Sequence, residues 1–342
     1  MRSCLYSPGK PSILKFLGVL IVLTLLLAAS RQYGSSIEQP PPPQSALTTA
    51  INQANAKVNE NAYVFYATND AYACSILVNI HILRMTYESK HRMVIFVSKD
   101  VSSKYRSAFK SLSAEVIQEK PMDLHAESNP EYHGCLLKLA AFRMHEIDPS
   151  LKRVLIVEAD QLVLKNLDHL FDLPPADIYA PKAYWLSEGR FSSTLMLVQP
   201  KPEMWKDIQE MVPYLQPNQY EADVVNDIFA GEVIDLPDSY VVLNDHWSEW
   251  SLPPWFTPGG SATADAAPAS ATPSQKPTNQ ELDELSLQSH LIHFSAVGKP
   301  WTHDLWEVGE LEFEAHEVLH LQWEEWRVRA LTLCPAGVID HL

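Results

Sequence analysis

Positive charge is in short supply in this chain. Its 342 residues carry 26 Lys and Arg against 42 Asp and Glu, a formal net charge of −16. That balance argues against nucleic acid, or an anionic membrane surface, as the main partner of the folded part. Cysteine is scarce as well: Cys4, Cys74, Cys135 and Cys334 are all there are, and no Cys/His spacing suggests a zinc site. No Asn-x-Ser/Thr sequon occurs, so N-glycosylation is not expected. A hydrophobic content of 46% over this length still suffices for a real core in one large or two modest domains.

The N-terminus differs in kind from the rest. Arg2, Lys10 and Lys15 precede an apolar run from Phe16 to Ala29 broken only by Gly18 and Thr24, and no acidic residue comes before Glu38. As a helix, residues 13–29 would be about 25 Å long and could span a bilayer with Lys15 snorkelling to the interface. The positive flank places residues 1–12 in the cytosol and the large C-terminal part across the membrane, which predicts a single-pass type II signal anchor. The competing reading is a cleaved signal peptide with its site at Ala28-Ala29-Ser30. Residues 30–61, with Gly34-Ser35-Ser36 and then Pro40-Pro41-Pro42-Pro43, read as a semi-rigid stem. Such a stem suits a membrane-tethered enzyme of the secretory pathway, its large domain in the lumen. Cys4 would then be cytosolic, and of the three remaining cysteines two can pair; the sequence does not say which.

From Ala62 to the C-terminus the pattern alternates between strand and helix, which predicts an α/β domain over residues 62–342. Strands are expected at 62–67, 93–97, 115–117 and just before Glu158, with helices at 70–84, 101–112 and 135–145. Further on come a short helix at 166–171, strands at 178–180, 194–198 and 240–243, and helices at 201–212 and 221–229. Residues 257–280 are Pro, Ala, Ser, Thr and Gly with almost no apolar bulk, so a disordered loop is expected there. A single amphipathic helix is expected over 305–330.

The densest chemical signal is Arg153-Val154-Leu155-Ile156-Val157-Glu158-Ala159-Asp160. A short β-branched run of this kind reads as a buried strand, and carboxylates leaving the end of such a strand can hold a cation that a phosphorylated ligand shares. The alternative is a solvated turn. A second constellation is His293-Phe294-Ser295-Ala296-Val297-Gly298-Lys299-Pro300-Trp301. A neutral imidazole can complete a divalent-metal shell begun by carboxylates, and an ammonium group can neutralise a diphosphate. Taken alone, His293 on its apolar Leu-Ile-His-Phe run is more often a satisfied core histidine.

Three motifs together carry a family resemblance. Ala62 to Ala73, with Thr68-Asn69-Asp70-Ala71-Tyr72-Ala73, resembles the first nucleotide-binding segment of glycosyltransferase family 8, the family of glycogenin. Glu158-Ala159-Asp160 stands where that family has Asp-x-Asp, followed by the similar Leu162 to Leu173. His293 to Trp301 resembles its C-terminal His-Phe-x-Gly-x-x-Lys-Pro-Trp. The resemblance implies a Rossmann-like nucleotide-sugar-binding domain of the glycosyltransferase A type, with a mixed, mostly parallel sheet. It also implies a retaining, Mn²⁺-dependent transferase that moves a hexose or N-acetylhexosamine from a UDP-sugar to a glycan or glycoprotein. Thr68, Asn69 and Tyr72 would line the uridine pocket. Asp160 and His293 would bind the metal, with Glu158 reaching the metal or the ribose. Lys138 would contact the donor, and Lys299 would hold the diphosphate. Glu221 would stabilise the sugar side, unless it only complements a helix dipole.

The sequence departs from the family at three places. Glu158 replaces the first Asp, Phe191-Ser192-Ser193-Thr194 stands for Phe-Asn-Ser-Gly, and Glu221-Ala222-Asp223 for Asp-Gln-x. The departures and the anchor bring the chain nearer to fungal α-N-acetylglucosaminyltransferase-like members than to glycogenin. They also support an alternative: a catalytically degenerate module that binds UDP-sugar or glycan.

Overall fold

A computed structural model describes residues 59–259 and 276–341, apart from residues 133, 187 and 188. The expected tail, anchor and nearly all of the stem, and most of the expected loop, lie outside the described residues. Among the described residues no helix is long and apolar enough to cross a membrane.

The main sheet has seven strands: β1 (Asn61–Ala67), β2 (Arg92–Val97), β3 (Glu115–Gln118), β4 (Arg153–Val157), β6 (Ile178–Pro181), β7 (Leu195–Val198) and β8 (Val233–Leu236). Their order is β3-β2-β1-β4-β7-β6-β8. Pairing is parallel except where β7 meets β4 and β6, so the sheet is mixed and mostly parallel, as expected. The chain runs from β1 outward to β2 and β3, then returns to β4 on the other side of β1. This reversal opens a crevice at the carboxyl ends of β1 and β4, which is where ligands bind in open α/β sheets. Thr68 follows one of those strands and Glu158 the other.

Alternation along β1 explains why both faces of the sheet are covered. Tyr63, Phe65 and Ala67 enter one core with α1 (Asp70–His81), while Ala62 and Val64 enter a second core with the segment Cys135–Arg143. That segment is a tight 3-10 helix leading into the short α3 (Met144–Ile147). The second core is completed by α4 (Pro202–Met211) and α5 (Glu221–Phe229). Between β2 and β3 lies α2 (Ser103–Ser111).

A smaller sheet of order β5-β10-β9 joins β5 (Gln161–Val163), β9 (Val241–Leu243) and β10 (Leu291–His293). The short α6 (Asp245–Glu249) comes directly after β9. The antiparallel register of β10 with β5 pairs His293 with Gln161, one residue beyond Asp160. The Phe294 N–H also donates to the Asp160 carbonyl at 3.1 Å. Backbone pairing therefore carries a residue from late in the chain to the acid at the end of β4.

Two expectations in the C-terminal region are corrected. The loop expected through residue 280 ends earlier, because α7 (Asn279–Gln288) begins at Asn279. Thr278 and Glu281 form a reciprocal capping box, and the helix buries Leu282 and Leu285. The single helix expected over 305–330 is two: α8 (Leu305–Leu311) and α9 (Glu317–Leu333). His316 breaks the run by capping α9 with its side chain, while its own N–H is drawn to the Trp247 carbonyl at 2.9 Å. Freed from α8, α9 turns Leu319, Trp323, Trp326 and Ala330 inward at helical spacing. Cys74 on α1 and Cys334 just past α9 form a disulfide with a Cα–Cα distance of 5.3 Å, which settles the open pairing; Cys135 is free. Asn61, expected to end the stem, instead belongs to β1.

Candidate active site

Helix α1 holds the acidic turn from below. Ser75 and Asn79, four residues apart and so on one face of that helix, both reach it. Ser75 Oγ donates to the Ala159 carbonyl at 2.5 Å and accepts from the Trp326 indole at 2.9 Å. Asn79 Nδ2 donates to the Gln161 carbonyl at 2.7 Å, and its Oδ1 accepts from Val163 N–H at 3.1 Å. All three side chains are buried, so these bonds are shielded from water and fix the path from Glu158 to Asp160.

Ligand atoms of Glu158, Asp160 and His293 lie within 4.8 Å of one another. His293 Nδ1 is 3.7 Å from Asp160 Oδ1 and 4.0 Å from Glu158 Oε2, too far for direct hydrogen bonds. That nitrogen is buried and has no hydrogen-bond partner among the described residues. Two carboxylate oxygens and an imidazole nitrogen arranged around a shared point are the donor set of a divalent cation, so the residues fit one.

Two lysines flank this cluster. Lys299 Nζ stands 2.7 Å from Asp160 Oδ2 and donates to the Phe294 carbonyl at 2.6 Å. Lys138 is buried, with Nζ 2.5 Å from Glu158 Oε1, 3.1 Å from Glu221 Oε1 and 3.2 Å from both oxygens of Ser193. Burial works against its charge, but Glu158 and Glu221 outweigh burial and hold the ammonium group above the ordinary lysine value. Burial likewise pushes the Asp160 carboxyl up, and His293, Lys299 and Lys138 outweigh it and keep Asp160 ionised below the usual range.

A cavity of about 480 Å³ opens above these groups, lined by Glu158, Asp160, His293, Lys299, Tyr72 and Glu221 among others. Ser192, Thr194 and Ala222, which depart from the family pattern, line it as well, with Ser193 between the first two. Their segment is pinned by Asn226, whose amide accepts from Phe191 N–H at 2.9 Å and donates to the Phe191 carbonyl at 3.0 Å. A second cavity of about 720 Å³ lies at the ends of β1, β2 and β3, with Asn69, Ser98, Asp100 and Gln118 in its wall. Thr68 and Gly134 line both. A Cβ at Gly134 would stand 2.4 Å from Thr68 Cγ2, so only glycine allows this approach.

The site residues read from the sequence therefore fall into three groups. Glu158, Asp160, His293, Lys299, Glu221, Tyr72 and Thr68 converge on the first cavity. Asn69 lines the second while its side chain caps α1, accepting from Ala71 and Tyr72 N–H. Lys138 is corrected: it sits beneath the carboxylates, not on the cavity wall, because two acids and Ser193 enclose its ammonium group. Glu221 is the first residue of α5, where an acid complements the helix dipole, and it also pairs with Lys138 at the cavity.

Several supporting residues were not legible in the sequence. Asn244 Oδ1 accepts from Ser295 and Ala296 N–H, each at 2.8 Å, and shapes the loop after His293. Arg327, buried in α9, donates to the carbonyls of Pro300 at 3.0 Å and His303 at 2.5 Å and clamps the end of the same loop. Within it Val297 is held at φ +62°, a strained conformation for a β-branched residue. Tyr72 packs on Trp301, ring centroids 5.0 Å apart, so the first and last motifs touch. Burial, helped by Asp160 and Glu158, pushes the Tyr72 phenol up to about 12.

Known proteins match this picture. No protein-family profile matches the chain. Glucose N-acetyltransferase 1 of Gibberella zeae is 25% identical over 242 residues, covering 57% of this chain and 53% of that protein. Homo sapiens glycogenin-1 is 28% identical over 157 residues, covering 44% of this chain and 43% of that protein. The chain thus spans about half the length of each of these relatives, and the resemblance to glycogenin read from its motifs is borne out. Among solved structures, the galactosyltransferase LgtC in complex with donor and acceptor sugar analogs superposes with a TM-score of 0.52 at 16% identity. The alignment covers 81% of this chain and 97% of that one. The fold is that of the glycosyltransferase A type.

Proposed function

We propose that this chain is a metal-assisted retaining glycosyltransferase that moves a hexose or N-acetylhexosamine from a UDP-sugar to a glycan or glycoprotein. The observation that carries the reading is the meeting of Glu158, Asp160 and His293 with Lys299 in one cavity at the sheet's switch point. Local charge explains why a cation is needed. Three carboxylates (Glu158, Asp160, Glu221) against two ammonium groups (Lys138, Lys299) leave one negative charge beside His293. A diphosphate would be repelled from such a site. A bound divalent ion, taken as Mn²⁺, supplies two positive charges and Lewis acidity toward the leaving diphosphate.

The chain's own residues supply the rest. Glu158, Asp160 and His293 would hold the ion, and Lys299 would leave Asp160 for the diphosphate as negative charge builds there. Glu221 faces the cavity beside Ser193 and would meet positive charge developing on the sugar. The Thr68 and Gly134 junction would let the nucleotide lie in the larger cavity while its sugar occupies the smaller one. Beyond the three departures in sequence, nothing supports the degenerate binding module.

The same proposal includes the Golgi, with a type II anchor at residues 13–29 and a lumenal catalytic domain. Its support is the apolar run in the sequence, together with the Cys74–Cys334 disulfide, which suits an oxidising compartment. Screening UDP-sugars for transfer or hydrolysis with Mn²⁺ tests the reading. Turnover of one donor, lost in Asp160→Asn and His293→Ala chains that stay folded, is expected; full turnover with every divalent ion chelated would overturn it.

A further inference from the structure

Glu158 carries one methylene more than the aspartate usual at its position, and the structure shows where the extra reach goes. Its two oxygens face different ways. Oε2 is the atom turned to His293 at 4.0 Å. Oε1 points the opposite way, into the floor of the cavity, where it meets Lys138 Nζ at 2.5 Å and accepts from the Tyr66 hydroxyl at 3.2 Å.

Strand geometry alone brings Tyr66 to this place. On β1 it follows Ala62 and Val64 on the face that packs against the segment carrying Lys138, and that ammonium group lies 5.8 Å from its ring centroid. Tyr66 lies in the strand that opens the first motif, two residues before Thr68. Among the described residues its hydroxyl donates to no acceptor other than Glu158. An aspartate would withdraw its carboxylate by about one C–C bond, roughly 1.5 Å, and so leave the phenol beyond hydrogen-bond range.

We propose that Tyr66 is a positioning residue that makes glutamate, not aspartate, the working acid at position 158. The phenol and Lys138 hold Oε1, which stops the longer side chain from rotating and leaves Oε2 as the single oxygen offered to the cation. The inference rests on the metal-assisted function proposed for this site. It also turns an apparent defect into a matched pair: restoring the aspartate of the family pattern would weaken this site.

Mn²⁺ binding to the full-length chain, followed by the electron paramagnetic resonance of free Mn²⁺ without any donor sugar, provides the test. Tyr66→Phe is expected to weaken Mn²⁺ binding about tenfold while leaving the melting temperature of the metal-free chain unchanged, as loss of an outer-shell partner does. Glu158→Asp is expected to weaken it comparably, and adding Tyr66→Phe to either Glu158→Asp or Glu158→Gln should cost nothing further. Wild-type affinity in Tyr66→Phe, alongside a loss in Glu158→Gln, would overturn the pairing and spare the metal site. So would a full tenfold loss on top of Glu158→Gln, which would mean that Tyr66 acts elsewhere. Wild-type affinity in Asp160→Asn would instead overturn the metal site, and the pairing with it.

Discussion

Lys299 closes on Asp160: its ammonium nitrogen lies 2.7 Å from Oδ2, while His293 faces Oδ1. Under the proposed function the paired residues would serve different ligands, Asp160 the cation and Lys299 the diphosphate, which separates the consequences of losing them. Asp160→Asn would then remove a metal ligand and should lower Mn²⁺ affinity at least a hundredfold and abolish transfer. Lys299→Ala removes one charge-assisted contact to the diphosphate, an effect of about 2 kcal/mol, or roughly thirtyfold in UDP affinity. Mn²⁺ binding without nucleotide should survive in Lys299→Ala. Parallel calorimetric titrations with Mn²⁺ and with UDP check both outcomes, and equal loss of both ligands in Lys299→Ala would contradict the division of labour.

Gly134 gives a test of the junction between the two cavities. A methyl group there would overlap Thr68 Cγ2 at 2.4 Å and Thr68 Cβ at 3.0 Å. Thr68 comes directly after β1, so its backbone has little room to retreat. Gly134→Ala should therefore push the Thr68 side chain into one cavity or the other, at a cost of about 1–3 kcal/mol for overpacking. UDP affinity should fall tenfold or more with the circular dichroism spectrum unchanged. Gly134→Ala with a smaller second change, Thr68→Ser, removes the clashing methyl and should recover most of the binding.

How much of the molecule was legible in the sequence depends on whether the determining contacts are local. The acid turn, the His-Phe and Lys-Pro-Trp run and the strand-helix alternation are local patterns, and each was readable. The capping box Thr278 to Glu281 was equally local, and its signature inside a low-complexity stretch would have ended the loop at the right place. The break at His316 was less visible, because the residues on both sides favour helix and the tie to the Trp247 carbonyl is tertiary. Lys138 illustrates the limit. A lysine amid leucines on a predicted helix gives no sign that Glu158 and Glu221, from two distant elements, will enclose it. Ser75, Asn79, Asn244 and Arg327 act only through backbone groups far away in sequence, so nothing in the local pattern marks them.

The Cys74–Cys334 bridge joins residues separated by 260 positions, so it closes almost the whole folded part into one loop. In the chain-entropy account a loop of that length stabilises by about 5 kcal/mol, and measured native bridges fall around 2–5 kcal/mol. It also ties the end of α9 to α1, the two helices that support the acidic turn through Trp326 and Ser75. Reduction, or the Cys74→Ala/Cys334→Ala pair, should lower the melting temperature on the order of 10 °C. Differential scanning calorimetry with and without reductant measures this. A reduced chain that melts with the oxidised one would show that packing alone secures α9.

Two half-buried histidines should make stability fall in mild acid. His246 and His290 are each lowered to about 4, chiefly by burial, with Lys165 and His169 adding to the effect at His290 and Asp245 opposing it at His246. Geometry explains the neutral state of His246. The Tyr184 hydroxyl accepts from Leu243 N–H at 3.1 Å and lies 2.9 Å from His246 Nε2, to which it can donate while the imidazole is neutral. Nδ1 meets Ser251 Oγ at 2.9 Å. His290 stacks on Tyr240 with centroids 4.2 Å apart and has the Ser239 carbonyl near Nδ1. In the unfolded chain both imidazoles titrate near 6.5. The folded-state values are lower, so below about pH 6.5 the unfolded chain binds protons that the native chain refuses. Stability is then full above that pH and falls as pH drops toward 4, by on the order of 2 kcal/mol per histidine. Urea unfolding at pH 7.5, 6.0 and 5.0 should show this slope, and His246→Gln should flatten it by about half. An unchanged slope in both His246→Gln and His290→Asn would mean that the acid sensitivity arises from other groups.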